Sequence, residues 1–273
     1  MVTIKGIWYD DMTTYDFIIE GIRFSYSSVS TFDTCPYSFK LIYIDAIPRG
    51  VGNFFSQYGS FVHECFEKFF MDKLESYELS DYYMDNYNDK VTMPPPPNPP
   101  GMAEKYKEQG LTFFNNFSFP REDYEVIAVE NRIDFEMDGI MLVAKPDLII
   151  RNIKTQKVSL FDYKTATPYR IDKRSGAEIA DASRIAGYHK QLYIYTYAIR
   201  NHMGIPIDEI TLWYPRLNKV VTEVWNQAEE DSAIKWLTDA INKIRTEEDF
   251  PYNNSNNYFC GNLCNAKSFC EYG

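Results

Sequence analysis

No stretch of this chain is long and apolar enough to suggest a transmembrane helix, and its start lacks a basic region followed by an apolar core. Those absences make a soluble cytoplasmic protein the expectation. No internal repeat is present, and no P-loop signature, so any nucleotide-driven motor would have to be a separate partner. There is no overall basic excess either: 28 Lys and Arg face 39 Asp and Glu, a formal charge of −11. That balance argues against a non-specific nucleic-acid coat. The 5 cysteines are odd in number and are not spread as a secreted disulfide framework would be.

What is present describes a folded enzyme-sized chain. Its 273 residues are 45% hydrophobic and 25% charged, enough for one good core with embellishments or at most two small domains. The charge is uneven. From Lys145 to Lys190 there are ten Lys and Arg against five Asp and Glu, a local +5, so the remainder carries −16. Glu64–Asp89 holds eight acids and two lysines. A basic region around carboxylates suits an enzyme gripping a polyanion, although ordinary surface scatter gives the same pattern.

Residues 1–26 read as an N-terminal arm of strands or aromatics, and 27–250 as the main domain. Within it, 27–44 is a helix interrupted at Pro36, and 58–74 is a helix with Phe61, Val62, Cys65, Phe66, Phe69, Phe70 and Leu74 at helical spacing. The segment 81–101 ends in a proline-rich loop (91–101) that reads as a stiff connector. A helix is expected over 102–117. Strands follow over 124–135, 140–151 and 157–164, the first pair joined by a tight Asp138-Gly139 turn. Residues 165–187 are polar, basic and expected to be mobile. A helix over 188–203, a strand over 210–215, a helix over 229–245 and a cysteine-rich tail (251–273) complete the chain.

The chemistry concentrates between Ala144 and Lys164. With a turn near Lys154–Thr155, Asp147 falls opposite Asp162, and directly opposed strand residues have Cβ atoms about 4.5–5.5 Å apart. Lys164 shares the face of Asp162, because strand side chains alternate. Two carboxylates and a lysine on one face are costly without a cation. Hard oxygen ligands suit Mg²⁺ or Mn²⁺, Glu130 on the preceding strand is a third candidate acid, and Lys164 could orient or deprotonate a water or stabilise phosphate charge. These are parts for metal-assisted phosphodiester hydrolysis.

Pro146-Asp147 followed by Asp162-Tyr163-Lys164 resembles the signature of the PD-(D/E)XK nucleases. Gly59-x-x-x-His63 on a helix resembles the histidine motif of their RecB-type exonuclease branch, and Gln191-x-x-x-Tyr195 that branch's Q-x-x-x-Y motif. Ser28-x-Ser30-x-x-x-x-Cys35-Pro36-x-x-Phe39 is similar to its N-terminal opening. The ordered set covers roughly 27–273. The resemblance implies an α/β fold with a restriction-endonuclease-like core, a central mixed β-sheet flanked by helices. It implies Asp147, Asp162 and Glu130 as catalytic acids, His63, Asp147, Asp162 and the Tyr163 carbonyl as metal ligands, and Lys164 as catalytic. Gln191 and Tyr195 would position the active site or the DNA. One departure is Ala144-Lys145, where a glycine is frequent.

Some RecB-type relatives, including the AddB subunit and the CRISPR-adaptation nucleases, join their ends with a [4Fe–4S] cluster. Cys35, Cys260, Cys264 and Cys270 fit that plan by the resemblance, with four thiolates as the ligand set. Here the first gap is three residues rather than the usual two, and structural zinc is the alternative. The expected activity is a Mg²⁺- or Mn²⁺-dependent DNA exonuclease acting on linear or single-stranded DNA in recombination, repair or DNA processing. The alternatives are a non-catalytic DNA-binding accessory protein and a nuclease subunit active only in a larger complex, with a recombination or helicase partner. Simpler readings compete at single positions. His63 alone reads as a half-buried helix histidine, Cys65 as a small buried hydrophobe, and most of the tyrosines from 188 to 197 as core. Glu130 has Glu125 and Glu136 nearby, and any of the three reads equally as a solvated acid, while His189 and His202 carry no assigned role.

Overall fold

A computed structural model describes residues 2–4, 7–9, 15–48, 52–172, 174–253, 255 and 257–272. Parts of the expected N-terminal arm (1, 5–6 and 10–14) lie outside the described residues. Strand β1 (Val2–Ile4) pairs antiparallel with β2 (Ile7–Tyr9). Helix α1 (Asp16–Glu20) precedes α2 (Tyr26–Thr34), which begins with a reciprocal Ser25/Ser28 capping box. Cys35 breaks α2 in extended backbone, as a residue before proline prefers. Helix α3 (Pro36–Phe39) then runs into a π turn at Lys40–Ile44.

The long helix α4 (Phe54–Phe70) starts on an Asn53/Ser56 capping box. After it come α5 (Leu79–Lys90), α6 (Met102–Asn115), β3 (Tyr124–Val129), β4 (Ile133–Met137), β5 (Ile140–Ala144), β6 (Leu148–Asn152) and β7 (Val158–Tyr163). A small hairpin of β8 (Tyr169–Ile171) and β9 (Glu178–Ala180) precedes α7 (Ala182–Ala198). Then follow β10 (Glu209–Tyr214), β11 (Lys219–Val224), α8 (Gln227–Arg245) and the short α9 (Asn257–Asn262).

The chain divides into two compact units. One comprises 1–51, 134–143 and 235–273, and the other 52–133 and 144–234. In the first, Phe32, Phe39 and Phe250 pack as an aromatic core, with Phe32 edge-on to both of the others. The β4–β5 turn is built on Asp138 and Gly139, both with positive φ (51° and 77°), the geometry of the tightest hairpin turns. Phe24 forms a parallel bridge to Leu142.

The second unit holds a five-stranded sheet in the order β11-β10-β7-β6-β3. Only the β10–β7 pair is parallel, so the sheet is mixed. The β6–β7 register runs Leu148↔Phe161 to Arg151↔Val158, which continued by one step sets Asp147 against Asp162. One face is buried under α4, α5 and α6 through Phe61, Phe66, Tyr83, Phe113 and Phe114, with Phe66 stacked 4.1 Å from Tyr163. Strand alternation sends Asp162 to the opposite face, where α7 lies. This is the α/β architecture expected, a central mixed sheet flanked by helices.

Several local expectations are corrected. The acidic stretch before the prolines is not wholly connector: α5 forms because Leu79, Tyr83 and Tyr87 recur at helical spacing and are buried. The segment 165–187 contains β8, β9 and the start of α7, whose first turn is capped by the Asp181 side chain accepting from Arg184 N–H. Strand 124–135 is two strands with Glu130 at φ +48° between them. Strand 140–151 is likewise two, parted at Lys145–Asp147, where Pro146 has no N–H to donate. β11 was not expected: its residues are mostly exposed, as an edge strand's can be.

Candidate active site

The site is assembled at the ends of β3, β6 and β7 with help from α4 and α7. Helix α4 carries Gly59 and His63, one turn apart on one face. A Cβ at position 59 would lie 3.2 Å from Thr165 Oγ1, tighter than most real contacts. Glycine therefore lets α4 approach the chain just past β7. That approach puts the His63 ring on the strand: its Nε2 lies 3.0 Å from the Tyr163 carbonyl oxygen. Its Nδ1 lies 3.2 Å from Glu130 Oε1 and 3.4 Å from Asp147 Oδ1.

Each acid is positioned by backbone. Asp147 is buried, and its Oδ2 accepts from the Tyr163 N–H at 2.7 Å. The Glu130 N–H donates to the Asp147 carbonyl at 2.8 Å. Its left-handed φ, costing of order 1–3 kcal/mol for a residue with a side chain, turns its carboxylate toward His63. Ligand atoms of His63, Glu130 and Asp147 all lie within 4.8 Å of one another. Among the described residues no other group of His, Cys, Asp and Glu converges in this way.

Asp162 is not a member of that group. Its buried carboxylate pairs instead with Lys164, Oδ2 to Nζ at 2.6 Å, yet Oδ2 has no aligned hydrogen-bond donor. Lys164 Nζ also donates to Gln191 Oε1 at 2.8 Å, and Gln191 Nε2 donates to the Tyr195 hydroxyl at 2.8 Å. Residues 188, 191 and 195 are spaced for one face of α7, and Lys164 Nζ lies 4.9 Å over the Tyr188 ring. The sequence thus named every member of this chain except Tyr188, which looked like core. It likewise underweighted Lys145, whose Nζ lies 2.6 Å from Glu130 Oε2.

The electrostatics follow from this packing. Burial disfavours a charged His63, but Asp147 and then Glu130 outweigh it and raise its pKa from 6.5 to about 10. Burial raises the Asp147 carboxyl, but His63 and Lys164 together hold it below the usual carboxylate range. Burial dominates at Asp162 and, with Asp147 nearby, pushes its carboxyl up to about 6 against the pull of Lys164. The imidazolium therefore supplies positive charge among the carboxylates. A cleft of about 530 Å³, lined by residues including Gly59, His63, Glu64, Glu130 and Lys145, opens beside the group.

The cysteines are placed differently. Cys35, Cys260, Cys264 and Cys270 are free thiols lining one cavity in the other unit, with Cys35 buried and the rest half-buried. No three of these sulfurs lie within 4.8 Å of one another, so the thiols are not gathered as ligands of a single ion. Cys65 is a buried free thiol in the core under α4, with its pKa raised by burial, as a small hydrophobe would be.

A mixed sheet presenting a histidine, convergent acids and a lysine at its strand ends defines a hydrolytic α/β enzyme of the restriction-endonuclease-like kind. Residues 23–271 match the PD-(D/E)XK nuclease superfamily, so the chain belongs to that superfamily and is a nuclease. No curated protein matches the sequence. The crystal structure of a candidate exonuclease from Eubacterium rectale shares the fold at 14% identity and TM-score 0.50, covering 93% of this chain and 90% of that one. The crystal structure of SSO0001 aligns at 16% identity over 89% of this chain and 84% of that one, with a TM-score of only 0.34. Among the described residues, no helix is long and apolar enough to cross a membrane.

Proposed function

We propose that this nuclease hydrolyses DNA phosphodiester bonds with Mg²⁺ or Mn²⁺, working as an exonuclease on linear or single-stranded DNA. The observation that carries the reading is the convergence of His63, Glu130 and Asp147 within 4.8 Å, beside the buried Asp162–Lys164 pair. The donors suit a hard divalent ion, and the buried Asp162, paired with Lys164 at 2.6 Å, is a further carboxylate beside them. Bound there, it would supply Lewis acidity and a water of lowered pKa.

The chain's own residues do the rest. Asp147, Asp162 and Glu130 offer carboxylate oxygens. His63 presents Nδ1 to the acids while the Tyr163 carbonyl, itself a candidate ligand, takes Nε2–H and fixes the ring, a frequent support for a ligating histidine. Lys164 directs its ammonium between Asp162 and Gln191, where it can orient a water or stabilise charge on the phosphate. Gln191, held by the Tyr195 hydroxyl, keeps the ammonium in place. Support for the RecB-type branch is the ordered motif set, and support for attack on ends is the E. rectale relative, described as a candidate exonuclease.

Cys35, Cys260, Cys264 and Cys270 would hold a structural [4Fe–4S] cluster. Four reduced thiols on one cavity supply the donor number. Structural zinc is the alternative occupant of the same four thiols. The experiment is incubation of anaerobically purified protein with end-labelled linear and closed circular DNA, single- and double-stranded, with Mg²⁺ or Mn²⁺, beside Lys164→Ala. The expected result is metal-dependent loss of label from linear DNA only, abolished by the substitution while DNA binding persists. Cutting of closed circles would overturn the exonuclease assignment, and cutting by Lys164→Ala would overturn the role of the lysine.

A further inference from the structure

One half-buried arginine in the nuclease unit, Arg216, is paired with no carboxylate. Among this unit's described side chains, the other half-buried arginines each pair with a carboxylate: Arg121 with Asp72, Arg151 with Glu125 and Arg200 with Glu230. Arg216, in the turn between β10 and β11, has only neutral partners. Its Nε donates to Gln109 Oε1 at 2.9 Å, and its Nη1 to the Thr165 carbonyl at 3.1 Å. Its guanidinium lies 3.4 Å over the Tyr106 ring. Its Nη2 is given no acceptor by any of these contacts.

Three features together suit anion capture. The fork is pre-organised, because two donors and one face are already fixed, so little side-chain entropy remains to be lost on binding. The charge is uncompensated, and a partly desolvated charge without a counter-ion is costly unless an anion arrives. The position is adjacent to the chemistry. Arg216 holds the carbonyl of Thr165, the residue that follows Lys164, and Thr165 in turn packs on Gly59, which lines the cleft beside His63. Successive Cα atoms are about 3.8 Å apart, so Arg216 is anchored close to the site's edge while its charge is not spent on the metal-ligand carboxylates.

We propose that Arg216 is a phosphate-binding residue that grips a backbone phosphate of the nucleic-acid strand next to the scissile one. This rests on the nuclease reading above. The guanidinium, stacked on Tyr106 with Nε and Nη1 engaged, would offer Nη2 to a phosphate oxygen, the planar geometry for which arginine is better suited than lysine. A purely structural role, clamping Thr165 and α6, is the competing explanation, and the two differ in what they do to salt dependence.

The test measures binding of a single-stranded oligonucleotide to the full chain across a salt series, in a Lys164→Ala background so that the substrate survives. Arg216→Gln and Arg216→Lys are compared with that parent, and KM and kcat are measured in the otherwise unaltered chain. The expected result is that Arg216→Gln weakens binding about tenfold at low salt and makes the log K against log salt slope shallower by about one phosphate contact. Arg216→Lys should keep most of the slope, and the kinetic loss should fall on KM rather than kcat. An unchanged slope in Arg216→Gln, or a loss confined to kcat, overturns the proposal in favour of the structural clamp. If Arg216→Gln does not fold, Tyr106→Leu and Gln109→Ala release the anchors. An affinity and slope identical to the parent in both would count against a pre-organised fork. Failure of the parent to bind any oligonucleotide would defeat the nuclease reading itself, and this inference with it.

Discussion

The chain carries two candidate metal centres, one in each unit, and they differ in how far they are assembled. The acidic centre is already convergent, whereas the four thiols line one cavity without closing on a common point. The difference is electrostatic. Carboxylates crowded at a strand end repel one another, and here their charge is balanced from within: His63 sits against Asp147 and Glu130, Lys145 against Glu130, and Lys164 against Asp162. The acidic centre is thus held by side-chain cations and backbone donors. Neutral thiols have no such attraction, and burial together with the neighbouring cysteines raises the Cys260 pKa, which favours its protonated form. A preformed site needs internal counter-charges; thiols that lack them would converge only if a bound metal drew them in.

The strongest way to break that comparison is to remove the carboxylate that His63 depends on most. Asp147→Asn should lower metal-dependent cleavage at least about 100-fold, because it removes a ligand oxygen and its charge together. It should also drop the His63 pKa from about 10 back toward 6.5 in the metal-free protein, a shift read by NMR titration independently of activity. An unmoved His63 would mean that Asp147 is not its principal counter-ion. Next in size is the thiol centre. Cys35→Ala should lose cluster iron and melt several degrees lower, while leaving His63 titration unchanged. Full iron content and an unaltered melting temperature would remove Cys35 from the ligand set.

The smallest effect sharpens the comparison at the packing level. Gly59→Ala gains about 0.8–1 kcal/mol of helix propensity but puts a Cβ 3.2 Å from Thr165 Oγ1. Stability should change by less than about 1 kcal/mol, while cleavage falls severalfold because α4 must withdraw His63 from the Tyr163 carbonyl. Improved stability with full activity would show that the close approach of α4 is not needed.

The parts of the site that could be read from sequence are those set by spacing. The β6–β7 register followed from the polar turn between two apolar runs, so Asp147 opposite Asp162 was legible, as was Gln191 four residues from Tyr195. Features set by tertiary context were not. The left-handed Glu130 and the pairing of Lys145 with Glu130 depend on how separate strands are brought together, whereas the break at Pro146 was locally marked by the proline and passed over. Tyr188 was hidden because a tyrosine among tyrosines reads as core, and Arg216 because nothing local marks an arginine as unpaired. Helix α5 was obscured by its acids, although Tyr83 and Tyr87 carry its buried face.

The most direct test of the central claim is Mn²⁺ binding to the folded, DNA-free protein, measured by calorimetry in buffers of different ionisation enthalpy. His63 carries a proton below a pKa of about 10 in the metal-free state, and a ligating imidazole must be neutral. Binding near pH 7–8 should therefore release about one proton, with affinity rising with pH until that pKa is reached. In the metal-free protein the sign is opposite. The raised His63 pKa contributes stability below its unfolded value near 6.5 that disappears as pH climbs through about 10. The account predicts a saturable site with proton release, lost in Asp147→Asn. Mn²⁺ binding that ignores Asp147 and releases no proton would contradict it.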